Sequence, residues 1–238
     1  MTDLSVGGFV PFSSVDFPLV SVSCVVFCQG CPWSCRYCQN KELQQFKANV
    51  SFFEEIFPQI VERKGFLDGV VFSGGEPLVQ HAIVEAARRV KAEGFKVALH
   101  TAGGFPSVLQ DVMEYVDWVG FDIKAPLERY MEVVMPGVAS DAPKSAVGSP
   151  QDCVKMSLDI LKKSGKSFEC RTTVDPQIID RKDLIDIAKF LASTIGIRPI
   201  GPLSKPSKSE FWEGDTEHRS GAYLDVREHS STGSTYPK

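Results

Sequence analysis

Between residues 19 and 193, short valine-rich runs alternate with stretches whose apolar residues recur at helical spacing. No other feature of the chain narrows its fold as much. The runs at 19–27 (LVSVSCVVF), 68–74 (DGVVFSG), 95–101 (FKVALHT), 117–124 (DWVGFDIK) and 167–174 (SFECRTTV) read as strands. Between them, 51–64 repeats Phe53, Ile56, Phe57 and Ile60, and 79–94 repeats Ile83, Ala86, Ala87 and Val90. Residues 105–115 also read as helix, as do 150–164 through Val154, Leu158 and Leu161, and 181–193 through Leu184, Ile187, Ala188 and Leu191. Gly94 and Gly165 stand where a left-handed C-terminal residue would end two of these helices. Strands joined through helices lie parallel, because only a crossover brings the chain back to the same end of the sheet. Five such units predict an α/β fold, an incomplete (β/α) barrel of parallel strands, with functional side chains at the strands' C-terminal ends. Residues 1–197 are expected to form this domain. After about 198, Pro, Gly, Ser and charged residues replace any apolar period, so 198–238 is expected to be an irregular or disordered tail.

The 238 residues are enough for one such domain with a buried core. A net charge of −4 and the lack of a basic stripe argue against nucleic acid as a partner. No apolar run is long enough to span a bilayer, and MTDLSVGGFVPF lacks the basic and apolar regions of a secretory signal. A cytoplasmic location is expected, where thiols stay reduced.

That expectation changes the meaning of VVFCQGCPWSCRYCQN (25–40), which holds four of the seven cysteines. In a reducing compartment they read as metal ligands rather than as disulfide partners. Cys31, Cys35 and Cys38 are spaced C-x3-C-x2-C directly after the first predicted strand, on the functional rim of the expected fold. Gly30 and Pro32 favour an irregular backbone that can wrap a compact inorganic group. Structural zinc sites close with four ligands, whereas three thiolates on a 4Fe–4S cluster leave one iron open. Cys28 keeps an alternative alive: C-x2-C-x3-C-x2-C would also suit a four-ligand zinc or iron–sulfur module for binding or electron transfer. Cys24, Cys153 and Cys170 lie in apolar segments and read as core.

The remaining polar motifs fall at the ends of successive strands. In FSGGEP (72–77), Gly74 and Gly75 permit close backbone approach, and Glu76 offers a carboxylate to an ammonium group, although a strand-to-helix turn needs glycine in any case. His100 and Thr101 in LHTAGG could hydrogen-bond a ribose or carboxylate, or be structural. Asp122 and Lys124 in FDIK share a face by alternation, as do Arg171 and Thr173 in CRTTV. A structural ion pair is the bland reading of the first pair, and a surface position that of Arg171.

The triplet with Tyr37 as the aromatic of C-x3-C-x-aromatic-C resembles the signature of the radical S-adenosylmethionine (SAM) superfamily. FCQGCPWSCRYCQN together with the upstream GGFVPFSSVDFP is similar to one branch, the activating enzymes of glycyl-radical proteins. Within that branch the chain looks most like the activating proteins of anaerobic ribonucleoside-triphosphate reductase. The resemblance covers roughly residues 6–194, and it departs at Leu19, where members often carry glycine.

The resemblance implies a 4Fe–4S cluster on Cys31, Cys35 and Cys38 and SAM held beside it, with Tyr37 in the signature. The GGE motif would hold the SAM amino group. Asp122 and Lys124 would act at SAM or at the partner's backbone, and Arg171 near the SAM carboxylate or ribose. It implies reductive cleavage of SAM, then hydrogen abstraction from a glycine of a partner enzyme. A low-potential donor such as flavodoxin or ferredoxin would supply the electron. Pyruvate formate-lyase, another glycyl-radical protein, or a small molecule are the alternative targets. Family members usually place a further strand with polar ligands after the helix at 181–193, and here only GIRPI (196–200) remains as a candidate.

Overall fold

A computed structural model describes residues 3–47, 51–134 and 149–196, together with the backbone of 224–228. Eight strands form one sheet: β1 (Ser5–Ser13), β2 (Ser23–Cys28), β3 (Ser51–Phe52), β4 (Gly69–Gly74), β5 (Lys96–Thr101), β6 (Trp118–Asp122), β7 (Ser167–Val174) and β8 (Leu224–Glu228). Their order across the sheet is β3-β1-β2-β4-β5-β6-β7-β8. From β2 to β8 every neighbouring pair is parallel. The helices between them are α1 (Phe53–Val61), α2 (Ile83–Ala92), α3 (Pro106–Val112), α4 (Tyr130–Val134), α5 (Pro150–Ser164) and α6 (Arg181–Ile195). The fold is of the expected α/β class, a mixed sheet consistent with an incomplete (β/α) barrel.

Three features extend or correct the sequence pattern. First, the sheet is not wholly parallel. β1 pairs antiparallel with β2 and with β3, although SVGGFVPFS reads poorly as a strand because of its glycines and proline. Its register shifts between Val6 and Gly8 and between Val10 and Ser13, and these irregularities absorb the awkward residues. Second, the expected strand 19–27 begins only at Ser23, since the amides of Ser21 and Val22 bond to the Asp68 carboxylate instead of a ladder. The expected helix at 51–64 starts at Phe53, because Ser51 and Phe52 pair with β1. Third, within the C-terminal segment read as irregular, Leu224–Glu228 adds β8 to the edge of β7. The GIRPI stretch lies outside the described residues beyond Gly196.

Strand alternation divides the apolar residues between two faces. Cys24, Val26, Val70, Phe72, Leu99 and Phe121 join the helices in the main core, reached by Ile60 of α1, Ala87 of α2, Leu109 of α3, Leu158 of α5 and Ile187 of α6. On the helix-free face, Val25, Val71, Ala98 and Trp118 gather under Phe17, which the β1–β2 connection lays across them. Phe17 lies against Gly69, where a Cβ would come within 2.8 Å of its ring. It thus fills the hollow at the strands' N-terminal ends and leaves the C-terminal ends for polar groups.

The helix ends follow ordinary capping chemistry. Ser149 caps α5 before Pro150, and Gly165 closes it at φ 66°. Asp180 and Asp183 form a reciprocal capping box on α6. Among the described residues, no helix is long and apolar enough to cross a membrane.

Candidate active site

The cysteine loop leaves β2 at Cys28 and is tied down on several sides. The Gly30 amide donates to the Leu43 carbonyl (2.8 Å) and that of Cys31 to Gln44 (3.1 Å). The Ser34 amide donates to Val134 at the end of α4 (3.0 Å), and that of Cys38 to Cys35 (3.1 Å). Gln80 holds the root of the loop. Its amide exchanges two bonds with the Ser5 backbone, 2.8 and 2.9 Å, and donates to the Gln29 carbonyl at 2.9 Å. Nothing in its neighbourhood marks Gln80 in the sequence as functional; only the fold brings residues 5, 29 and 80 together. Cys35 is buried, while Cys31 and Cys38 are half-buried.

The SGGE turn after β4 lies flat against this loop. The Gly75 amide donates to Cys28 O and the Glu76 amide to Gly30 O, both at 2.9 Å. A Cβ on Gly74 would stand 2.5 Å from the Cys28 backbone, and one on Gly75 would stand 2.2 Å from Gly30 O. The glycines are therefore required by contact between two backbones. The Glu76 carboxylate is almost wholly buried and accepts three bonds: from Thr101 Oγ1 (2.6 Å), from the Ala102 amide (2.9 Å) and from the Leu78 amide (3.1 Å). Burial pushes its acidity towards the neutral form, and these three donors oppose that. Glu76 thus braces the turn after β4 to the turn after β5, and Thr101 is engaged with it.

On the helix-free face, β5, β6 and β7 line up a polar row. Register puts His100 opposite Gly120 and Asp122 opposite Arg171. Arg171 lies across Gly120, where a Cβ would stand 2.5 Å from the guanidinium. Its Nε donates to Asp122 Oδ1 (3.2 Å) and its Nη2 to the Gly120 carbonyl (3.3 Å). Far from a surface position, it is only 5 % exposed. The glycine in the middle of DWVGFDIK was the available signal, since a strand glycine often marks a close approach. Lys124 Nζ donates to the other carboxylate oxygen of Asp122 (2.9 Å). Burial alone would raise the Asp122 carboxyl, but Lys124 and Arg171 outweigh it and hold the group well below the usual carboxylate range. His100 Nε2 lies 2.9 Å from the Asp16 carbonyl. The same nitrogen lies 3.5 Å from Arg171 Nη1. The ring stands edge-on to Trp118 at 5.7 Å. His100 thereby ties the β1–β2 connection to the polar row.

Lys124 links the row to the cysteines. Tyr37 in the cysteine loop donates its hydroxyl to the Lys124 carbonyl (3.1 Å), and the Lys124 amide donates to the Tyr130 hydroxyl (3.3 Å). Burial pushes the thiols of Cys31 and Cys35 up, and the Lys124 ammonium pulls in the opposite direction. Cys28 is fully buried, its thiol driven up by burial and by the nearby Glu76.

The donor chemistry fits an iron–sulfur cluster. Cys31, Cys35 and Cys38 could hold three irons, and Lys124 offsets thiolate charge nearby. Three thiols from one loop match the donor number of a cubane that keeps one iron open, where a structural zinc site takes four ligands.

Residues 25–191 match the family model of the radical SAM superfamily. A Methanocaldococcus jannaschii protein, whose name proposes a glycyl-radical enzyme activating enzyme, is 35% identical over 187 residues, 77% of this chain and 74% of that one. The pyruvate formate-lyase-activating enzyme of Clostridium pasteurianum is 32% identical over 116 residues, spanning 46% of this chain and 48% of that enzyme. Among solved structures, SuiB of Streptococcus suis bound to S-adenosylmethionine superposes with a TM-score of 0.56, at 12% identity over 87% of this chain and 40% of that one, a likeness of fold. By the match along most of its length, the chain belongs to the radical SAM superfamily and is a radical SAM enzyme.

Proposed function

We propose that this enzyme activates a glycyl-radical enzyme, with Cys31, Cys35 and Cys38 holding the cluster and SAM bound beside it. One observation carries the reading: three thiols lie on one loop at the C-terminal end of β2, while Cys28 belongs to the buried strand end. Three thiolates leave one iron of a cubane without a protein ligand. When bound, the cluster would supply the electron for reductive cleavage of SAM, the source of the hydrogen-abstracting radical. The chain's own residues do the remaining work. Gly74 and Gly75 let the SGGE turn approach the cysteine loop, and Glu76 fixes that turn to β5. Glu76 Oε2 accepts only one bond, so the carboxylate keeps acceptor capacity for the SAM amino group. Asp122, Lys124 and Arg171 form a pre-assembled charged row across from it, suited to the carboxylate and ribose of SAM.

For the partner, the likeness to a pyruvate formate-lyase-activating enzyme favours a pyruvate formate-lyase-type enzyme over anaerobic ribonucleotide reductase, to whose activating proteins the N-terminal string is similar. A flavodoxin- or ferredoxin-like protein would deliver the electron. The test uses the anaerobically reconstituted chain with SAM and a reductant. 5′-Deoxyadenosine is expected from the wild type and is lost in Cys35→Ala. Electron paramagnetic resonance should then reveal a glycyl radical on added pyruvate formate-lyase. A radical on the reductase alone would reverse the partner assignment, and a loaded cluster that releases no nucleoside would overturn the reading.

A further inference from the structure

We propose that Tyr37 and Tyr130 form a latch that closes the cysteine loop onto the end of β6 and fixes the Lys124 ammonium at the cluster's edge. The proposal rests on the cysteine loop being the cluster site. Tyr130 carries no motif, lies 92 residues from Cys38 and was not a candidate from the sequence. In the fold its side chain is completely buried. Its hydroxyl accepts from the Lys124 amide at 3.3 Å, while Tyr37 donates to the carbonyl of the same residue at 3.1 Å. Two phenols from separate elements therefore grip both polar groups of one residue. The Tyr130 ring meets Trp33 edge-on at 6.0 Å, and α4, which begins at Tyr130, ends with Val134 accepting from Ser34. Trp33 in turn lies over Gly104, where a Cβ would come within 3.2 Å of the indole. Together these contacts join the stretch Trp33–Tyr37, inside the cysteine triplet, to α4, to the residue after β6 and to the turn after β5.

The arrangement has a purpose that packing alone would not need. With its backbone gripped and its ammonium tied to Asp122 at 2.9 Å, Lys124 cannot swing towards solvent. A cation held near the cysteine loop would favour the more negative, reduced form of a cluster there, by an amount reduced by its carboxylate partner Asp122. Tyr37 and Tyr130 are positioning residues acting through Lys124, and they make the cluster both slower to lose and easier to reduce.

The test begins with the anaerobically reconstituted wild type. If it takes up no iron and sulfide, the cluster-site reading fails, and the latch with it. With a loaded wild type, Tyr37→Phe, Tyr130→Phe and the double variant are compared, with Tyr115→Phe as a control. Each single variant keeps its ring and loses one hydrogen bond. Iron release to a chelator is expected to accelerate several-fold in each single variant and about tenfold or more in the double variant, as two lost hydrogen bonds allow. The midpoint potential should shift negative in Lys124→Met and, by less, in the double variant, while Tyr115→Phe leaves it unchanged. A double variant with wild-type iron release and potential would overturn the latch. Should the variants fail to fold, hydrogen exchange on the wild type decides. Slow exchange at the Lys124 and Ser34 amides supports the latch, and free exchange there refutes it.

Discussion

Asp122 shows how much a single side chain can depend on its neighbours. It accepts from Lys124 on one oxygen and from Arg171 on the other. Asp122→Asn leaves two cations sharing a neutral amide. The expected loss is about 2–3 kcal/mol at neutral pH, short of a fully dry pair because solvent reaches the carboxylate. The sign of its pH dependence follows from the lowered folded-state acidity. The advantage of wild type over Asp122→Asn is complete above the unfolded carboxyl value of about 3.9, and it drains away as pH falls towards the lower folded value. Urea titrations at pH 7 and at pH 3 check this; an equal gap at both would contradict it. Glu76 makes a second test. In Glu76→Gln, an amide must replace a carboxylate that meets two backbone N–H groups and a hydroxyl. One amide end then faces a donor, and an unmatched buried N–H costs about 1–3 kcal/mol, measurable by denaturant unfolding.

At the level of elements, the site depends on turns that touch one another more than on any strand. The SGGE turn donates two backbone hydrogen bonds, to the Cys28 and Gly30 carbonyls, in close backbone contact, so the turn and the cysteine loop move together. Gly75→Ala places a methyl 2.2 Å from the Gly30 carbonyl, a backbone atom with no cheap way to yield. The expected result is a folded sheet with reduced iron content after reconstitution, read by circular dichroism and iron analysis together. Helix α6 is secured in a different way. Asp180 accepts from the Asp183 amide, Asp183 accepts back from the Asp180 amide, and the Asp183 carboxylate also pairs with Arg129. Asp180→Ala should cost about 1 kcal/mol, a typical cap loss, whereas Asp183→Ala should cost more because it also removes one of the two carboxylates on Arg129, leaving Glu132. Thermal melts of the two variants give the order.

For the whole molecule, β8 changes the edge of the sheet. Its five residues pair in parallel with Cys170–Val174, so removing them exposes the flank of the strand that carries Arg171. Truncation after Gly196 is expected to lower the melting temperature, speed amide exchange along β7 and promote association through the bared edge. Unchanged exchange in β7 would show that the pairing contributes nothing to stability. Towards the opposite end of the strands, Phe17 fills the hollow against Val25, Val71, Ala98 and Trp118, so the polar groups stand at the rim that carries the cysteines and the charged row.

The sequence by itself determined the alternation of strands and helices, the rim on which the motifs fall and the cysteine triplet. Each of these is local: periodicity, glycine placement and thiol spacing are written into neighbouring residues. It did not reveal β1, whose glycines and proline argue against a strand until β2 offers a partner, nor β8, whose polar surroundings hide it. It also could not show that Glu76 is tied to Thr101 and Ala102, that Arg171 lies buried across Gly120, or that Gln80 and Tyr130 hold the cysteine loop. Those facts belong to tertiary structure because each joins groups far apart in the chain, and the energy of a buried hydrogen bond or ion pair exists only once folding has removed the water from between them.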